Sequence, residues 1–318
     1  MINFPDSVKE AYQRSKPHIR KTPLEHSPYL SNLIDGDVYL KLDNIQKTGS
    51  FKFRGAISKM SSLSDKQKLN GVITASTGNH GAACSLAMSL LGIKGKIVVP
   101  ENVHKNKVEN ILNLGGEVEY FGNDCIHAEE RAQEISKSTG AVYISPYNDE
   151  AIVCGQATLG LEVDEDLREV DSIFISVGGG GLIGGVGGYL KSVNPRTKVY
   201  GVSPINSCVM YESINANKQL DLPSKPTLSD GTAGGVEFGS ITFELCKDVI
   251  DHFTVVSEEE IVKGILIGIE KHHQLIEGAA GTAIAGFLKY KKDLIGKRVV
   301  IVMCGGNISS EVLKSILC

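Results

Sequence analysis

The sequence predicts an α/β fold: two open, twisted, parallel-type sheets with helices on both faces. Three observations point there. Short β-branched runs alternate with stretches of helical periodicity, the pattern of parallel sheets wound by crossover helices. Several runs, such as 97–99 and 299–302, are apolar throughout, as strands covered on both faces should be. Glycine makes up 35 of 318 residues, about 11% against a usual ~7%, and it is clustered, mostly just after strand-like runs.

Taken in order, strands are expected at 38–43, 72–76, 96–100, 118–121, 141–145, 172–177, 198–202 and 298–304. Helices are expected at 52–63, 79–91, 105–114, 125–138, 182–193, 258–272, 282–292 and 309–317. Residues 66–148 read as one compact βαβαβαβ unit, a small mobile domain. The flanking segments, 1–65 and 149–318, then form a larger domain split in sequence. Residues 218–229, with Pro223 and Pro226, read as a long irregular connection.

Composition narrows the function. At 34.1 kDa, with 42% hydrophobic and 22% charged residues, the chain supports a sizeable core and is not disordered. Lys+Arg minus Asp+Glu is 33 − 37 = −4, so bulk charge excludes a nucleic-acid partner. No run reaches the ~18 apolar residues of a membrane span, and residues 1–16 lack a leader pattern. The seven cysteines are odd in number and widely spaced, without a CxxC pair, which fits a reducing, cytoplasmic setting. No HExxH and no GxxxxGK[ST] occurs, so neither zinc-peptidase nor P-loop chemistry is expected.

Five loops carry unusual residues. In open α/β sheets ligands bind at the carboxyl ends of strands, so these loops converge if the fold is right. In Thr48-Gly49-Ser50-Phe51-Lys52-Phe53-Arg54-Gly55 a lysine sits between two phenylalanines where a loop enters a helix. Apolar flanks disfavour its charge and make the amine a nucleophile; a surface lysine beside core aromatics is the alternative. Ser76-Thr77-Gly78-Asn79-His80-Gly81 opens a helix whose free N–H groups suit a carboxylate, though Ser and Thr are also ordinary caps.

The run Gly178-Gly179-Gly180-Gly181-Leu182 between strand and helix reads as a phosphate cradle, or as glycines for close helix–sheet packing. Gly179-x-Gly181-x-x-Gly184 also matches the dinucleotide fingerprint. The next strand, however, ends at Ser203-Pro204 without the acid that would hold a ribose. A bare phosphate is the better ligand, and a nicotinamide oxidoreductase is disfavoured. Asp230-Gly231-Thr232-Ala233-Gly234-Gly235 is a polar loop that also reads as a mobile turn. Cys304, in Met303-Cys304-Gly305-Gly306-Asn307, is a nucleophile or a quiet hydrogen-bond partner. A phosphate cradle plus a desolvated lysine suggests pyridoxal 5'-phosphate held covalently, an electron sink for carbanions. A non-catalytic binding module would give Lys52 no reason for its setting.

In this order the segments resemble the serine/threonine dehydratase and serine racemase family of pyridoxal phosphate enzymes, of fold type II (tryptophan synthase β-like). The match runs from Lys21-Thr22-Pro23-Leu24 to Cys304-Gly305-Gly306-Asn307. The resemblance implies a cofactor in the cleft between two domains, with the larger domain holding it. It makes Lys52 the covalent and catalytic lysine and packs Phe51 beside the cofactor ring. Asn79 would bond the ring hydroxyl, Gly178 to Leu182 the phosphate, and Cys304 the ring nitrogen, with Glu277 nearby. Ser76, Thr77, Gly78 and His80 would line the substrate carboxylate site, with Gly231 and Thr232 beside the substrate.

The implied reaction is elimination of water from a β-hydroxy amino acid, L-threonine or L-serine, giving a 2-oxo acid and ammonia. The alternative is an amino acid racemase with side dehydratase activity. Racemases of the family carry a serine where Thr77 stands as second acid/base, and the threonine methyl group disfavours that role. Ser203 replaces the glutamate of metal-binding members, so no metal is expected. Asp43 replaces a usual glutamate. The family resemblance also implies a homodimer.

Overall fold

Residues 2–103 and 105–318 are described by a computed structural model. The apolar runs do become strands: β1 Leu24–His26, β2 Asp37–Lys41, β3 Val72–Ala75, β4 Gly95–Val99, β5 Glu117–Tyr120, β6 Val142–Tyr143, β7 Ser172–Ser176, β8 Lys198–Pro204, β9 His252–Val256 and β10 Arg298–Val302. They sort into two sheets. The larger has the order β1-β2-β10-β7-β8-β9 and the smaller β5-β4-β3-β6. Every pairing is parallel except β1 with β2.

Burial follows position. All five residues of β7, inside the larger sheet, are buried, while β5 at the edge of the smaller sheet keeps its ends exposed. Phe174 of β7 is fully buried, stacked on Tyr200 at 4.4 Å and edge-on to Phe287 at 5.8 Å. The helix Gly278–Tyr290, which supplies Phe287, packs on β7, β8, β9 and β10. The helix Gly181–Val193 packs against Glu150–Asp166, which in turn packs against Lys52–Ser61 and Phe4–Ser15.

Helix boundaries obey local chemistry. Glu258–His272 starts in a capping box of Ser257 and Glu260, and Asn79–Leu91 ends on Gly92 in the left-handed conformation. The expected helix at 282–292 begins earlier, at Gly278, and the strand at 298–304 stops at Val302. Among the described residues no helix is long and apolar enough to cross a membrane.

Elements without a sequence expectation include the helices Phe4–Ser15, Pro28–Ser31, Asp65–Asn70, Glu150–Asp166, Val209–Asn215 and Ile241–Val249 and the strands β1 and β9. Glu150–Asp166 is buried over most of its length, so it shows little amphipathic contrast. The segment 218–229 is irregular, as expected. The helix Lys52–Ser61 touches both Asn79–Leu91, beside the smaller sheet, and Glu150–Asp166. Its first residue lines a cleft together with residues that follow β3 and β6 of the smaller sheet and β7 and β10 of the larger.

Candidate active site

Strand ends and glycine loops enclose a cleft with about 490 Å³ of space, part of it open to solvent. Backbone pairing fixes its centre. Phe51 N donates to Cys304 O at 2.9 Å and Gly306 N to Gly49 O at 2.9 Å. This short antiparallel contact puts Lys52, at the helix start, beside the turn that follows β10. Lys52 Nζ lies 5.3 Å from the Phe51 ring centroid and donates to Pro146 O at 2.9 Å. Burial of the amine lowers its pKa to about 8, with Glu277 among the groups opposing that shift.

Two residues on, Arg54 is fully buried and anchors this end of the helix. Its guanidinium donates to Asp43 Oδ2 at 2.7 Å and Oδ1 at 2.9 Å, and to Glu162 Oε1 at 2.7 Å and Oε2 at 2.8 Å. Lys41 Nζ adds 2.6 Å bonds to Glu162 Oε2 and Thr22 O. Asp43 thus keeps a carboxylate on the arginine.

The glycine run lines the opposite wall. A Cβ on Gly178 would meet Thr232 O at 2.7 Å, and one on Gly179 would run into the Tyr147 ring. Gly180 has φ +84° and would place a Cβ 2.6 Å from Cys246 Sγ. The helix Gly181–Val193 begins there, so its first N–H groups have no intrahelical partner. Ser203 Oγ, where an acid was missing, donates to Val177 O at 2.8 Å and ties down the strand end before the loop. A loop that excludes Cβ atoms in front of a helix N-terminus fits a phosphate monoester, and a soft amine across the cleft fits its aldehyde. Gly178→Ala should weaken pyridoxal phosphate binding on the order of tenfold or more, read by fluorescence titration, because its neighbour is backbone and cannot swing away.

The third wall carries Asn79, Glu277 and Cys304. Asn79 Nδ2 donates to Glu277 Oε1 at 2.9 Å and Oε2 at 3.1 Å. Asn307 N donates to Oε2 at 3.1 Å. Glu277 is 3% exposed, and burial pushes its pKa up to about 7 against the pull of the Asn79 bond. Cys304 is also buried; burial first, then the charge of Glu277, pushes its thiol far up, so it stays protonated. Its Sγ lies 3.5 Å from Ser176 Oγ.

The cleft brings together Phe51, Lys52, Asn79, Gly178 to Leu182, Gly231, Thr232, Glu277 and Cys304. Ser76, Thr77 and Gly78 form the turn after β3 that leads into Asn79, with Gly78 N donating to Ser76 Oγ at 3.3 Å. They stand at the helix start but are not among the lining residues. The His80 side chain does not face the cleft either. It is 4% exposed, and its Nε2 lies 3.0 Å from Ile144 O. Burial, and then the Lys52 charge, lower its pKa to about 3 and keep it neutral.

Pro146, Tyr147, Ser176 and Ala279 line the cleft without having been expected there. Pro146 and Tyr147 follow the strand end near residue 145, and that position was the available signal. Beyond Thr232 the loop is open: Cβ atoms on Gly234, Gly235 or Gly239 would meet nothing within 4 Å.

Comparison with known proteins agrees with this geometry. The family profile described as "Pyridoxal-phosphate dependent enzyme" matches residues 15–305. An L-threonine ammonia-lyase of Thermotoga maritima is 41% identical over 317 residues, covering 100% of this chain and 78% of its own. The processed form of threonine deaminase isoform 2 from Solanum lycopersicum superposes with a TM-score of 0.94 at 31% identity, covering 98% of this chain and 92% of that one. Maize serine racemase superposes with a TM-score of 0.92 at 31% identity, covering 98% and 96%. With a matching profile across nearly the whole chain, and a lysine, a glycine cradle and a buried thiol around one cleft, the protein belongs to the family of pyridoxal-phosphate dependent enzymes.

Proposed function

We propose that the protein removes water from a β-hydroxy amino acid, L-threonine or L-serine, to give a 2-oxo acid and ammonia. The names of the ammonia-lyase and deaminase relatives support this reading. The observation that carries it is Lys52, an amine softened to about 8 between the glycine cradle and Cys304.

Bound pyridoxal phosphate supplies the electron sink that makes the substrate α-proton acidic. The chain does the rest. Backbone N–H groups of Gly178 to Leu182 would hold the phosphate, and Asn79 would bond the ring hydroxyl. The helix N-terminus after Ser76, Thr77 and Gly78 takes the substrate carboxylate. In that site His80 contributes its backbone N–H, since its ring is committed to Ile144. Gly231 and Thr232 bound the substrate side.

Lys52 accepts the α-proton as general base. Cys304 would face the ring nitrogen as a neutral thiol, a weaker partner than a carboxylate. The proton that Lys52 takes up would be available to the departing hydroxyl, which leaves as water. Residues 66–148 close over the substrate as a unit, a motion that small-angle scattering with and without ligand would register. A cytoplasmic homodimer completes the reading, and light scattering tests the dimer.

The test is incubation with L-threonine, L-serine and D-serine while following 2-oxo acid and enantiomer composition. Oxo acid without enantiomer supports a dehydratase. Enantiomer formed faster than oxo acid would replace it with a racemase that uses the Thr77 hydroxyl. A pH dependence follows from Lys52. Only the neutral amine attacks the cofactor aldehyde, and its pKa is about 8. Uptake of pyridoxal phosphate by the cofactor-free protein should slow about tenfold per pH unit below 8 and level off above it. Stopped-flow absorbance across that range checks the midpoint.

A further inference from the structure

The orientation of the Asn79 amide is set from outside the cleft. Thr48 O is a carbonyl oxygen and only accepts. The Asn307 atom 2.9 Å from it is therefore Nδ2. The same nitrogen lies 2.7 Å from Asn79, so it faces Asn79 Oδ1. Asn79 Nδ2 is left for Glu277 and for the cleft that Asn79 lines. Among the described residues this nitrogen bonds only Glu277, through both carboxylate oxygens, and it faces the cleft on that side.

Glu277 alone does not secure that orientation. A carboxylate only accepts, but a carboxylic acid also donates and would accommodate a flipped amide through its oxygen. Burial pushes Glu277 up to about 7, so both forms occur near neutrality. The groups around it are Asn79, the Asn307 N–H, Asp230, Lys52 and Cys304. Space is reserved for this arrangement. A Cβ on Gly49, in the lysine motif, would strike the Asn307 amide, and one on Gly305 would strike the Glu277 carboxylate.

We propose that Asn307 is a positioning residue that locks the Asn79 amide so that its nitrogen donates to the ring oxygen of the cofactor in either protonation state of Glu277. This rests on the reading that the cofactor ring meets Asn79.

The test is the absorbance and pyridoxal phosphate affinity of the holoenzyme across about pH 6 to 8.5. It compares wild type, Asn307→Ala and the double variant Glu277→Gln/Asn307→Ala, with the melting temperature of each as a folding control. Wild type sets the reference profile, including whatever part Lys52 contributes. Relative to it, Asn307→Ala should lose yellow absorbance and about tenfold in affinity as pH falls through 7, and recover both above it. In the double variant, residue 277 cannot titrate, so its profile should run parallel to wild type. An Asn307→Ala profile parallel to wild type, or an added step near 7 that survives in the double variant, overturns the lock while leaving the cofactor reading intact. A wild-type chain that takes up no pyridoxal phosphate overturns both.

Discussion

Replacing Lys52 by alanine is expected to abolish turnover and the yellow absorbance together. Two contributions are lost at once. A positioned general base is worth on the order of 10²–10⁴ in rate. The covalent tether also goes, and no neighbour replaces it. The nearby titratable groups are the high-pKa thiols Cys84 and Cys304, protonated in place, His80, whose ring bonds Ile144, and Glu277, which is held by Asn79 and Asn307. The glycine cradle is untouched by the substitution, so the variant should still bind pyridoxal phosphate, more weakly and in its free-aldehyde form. Spectra, dialysis and a 2-oxo acid assay read all three consequences. An alanine variant that stays yellow and active would falsify the assignment of Lys52.

The second large effect lies at Arg54. Arg54→Met should lower stability by about 3–5 kcal/mol, because it strands buried charges rather than merely deleting contacts. Burial alone would raise the Asp43 pKa, yet the guanidinium outweighs it and holds the carboxyl below its ordinary value. Burial lowers Lys41, and Glu162 opposes that shift. Without Arg54, Asp43 keeps, among the described residues, only Thr22 Oγ1 as a side-chain hydrogen-bond donor, at 2.6 Å. A loss of that size lowers the melting temperature by on the order of 10 °C for a chain of this size. The double variant Arg54→Met/Glu162→Gln should cost less than the sum of the single changes, since each removes the reason the other is costly. Full additivity in thermal melts would show the groups to be independent.

Much of the site is legible in the sequence because chemistry there demands rare residue patterns. Four successive glycines after an apolar strand, a lysine between phenylalanines and Ser-x-Gly-Asn at a helix start each need a ligand or a crowded backbone to explain them. The structure brings Lys52, Asn79, Gly178 to Leu182, Glu277 and Cys304 to one cleft. His80 is different. Its place in the motif suggests substrate, but which way a ring turns is decided by a partner 64 residues away, Ile144 O.

Tyr147 carries no local signature, because an aromatic against glycines is a packing fact visible only in three dimensions. Helix Glu150–Asp166 escaped for a related reason. A helix buried over most of its length loses the polar stripe that periodicity detects. β9 was missed because its burial is mostly partial and it lies at an edge of the larger sheet.

The openness of the loop beyond Thr232 bears on where descendants of this sequence are free to diverge. Gly178, Gly179 and Gly180 cannot gain a side chain without collision, which closes those positions to drift. In the open loop Gly234 and Gly239 hold φ values of +120° and +74°, so substitutions there meet strain rather than neighbours. Gly235 meets neither obstacle. It is the member of the loop at which selection, natural or in the laboratory, can try larger residues while the cofactor machinery stays constant.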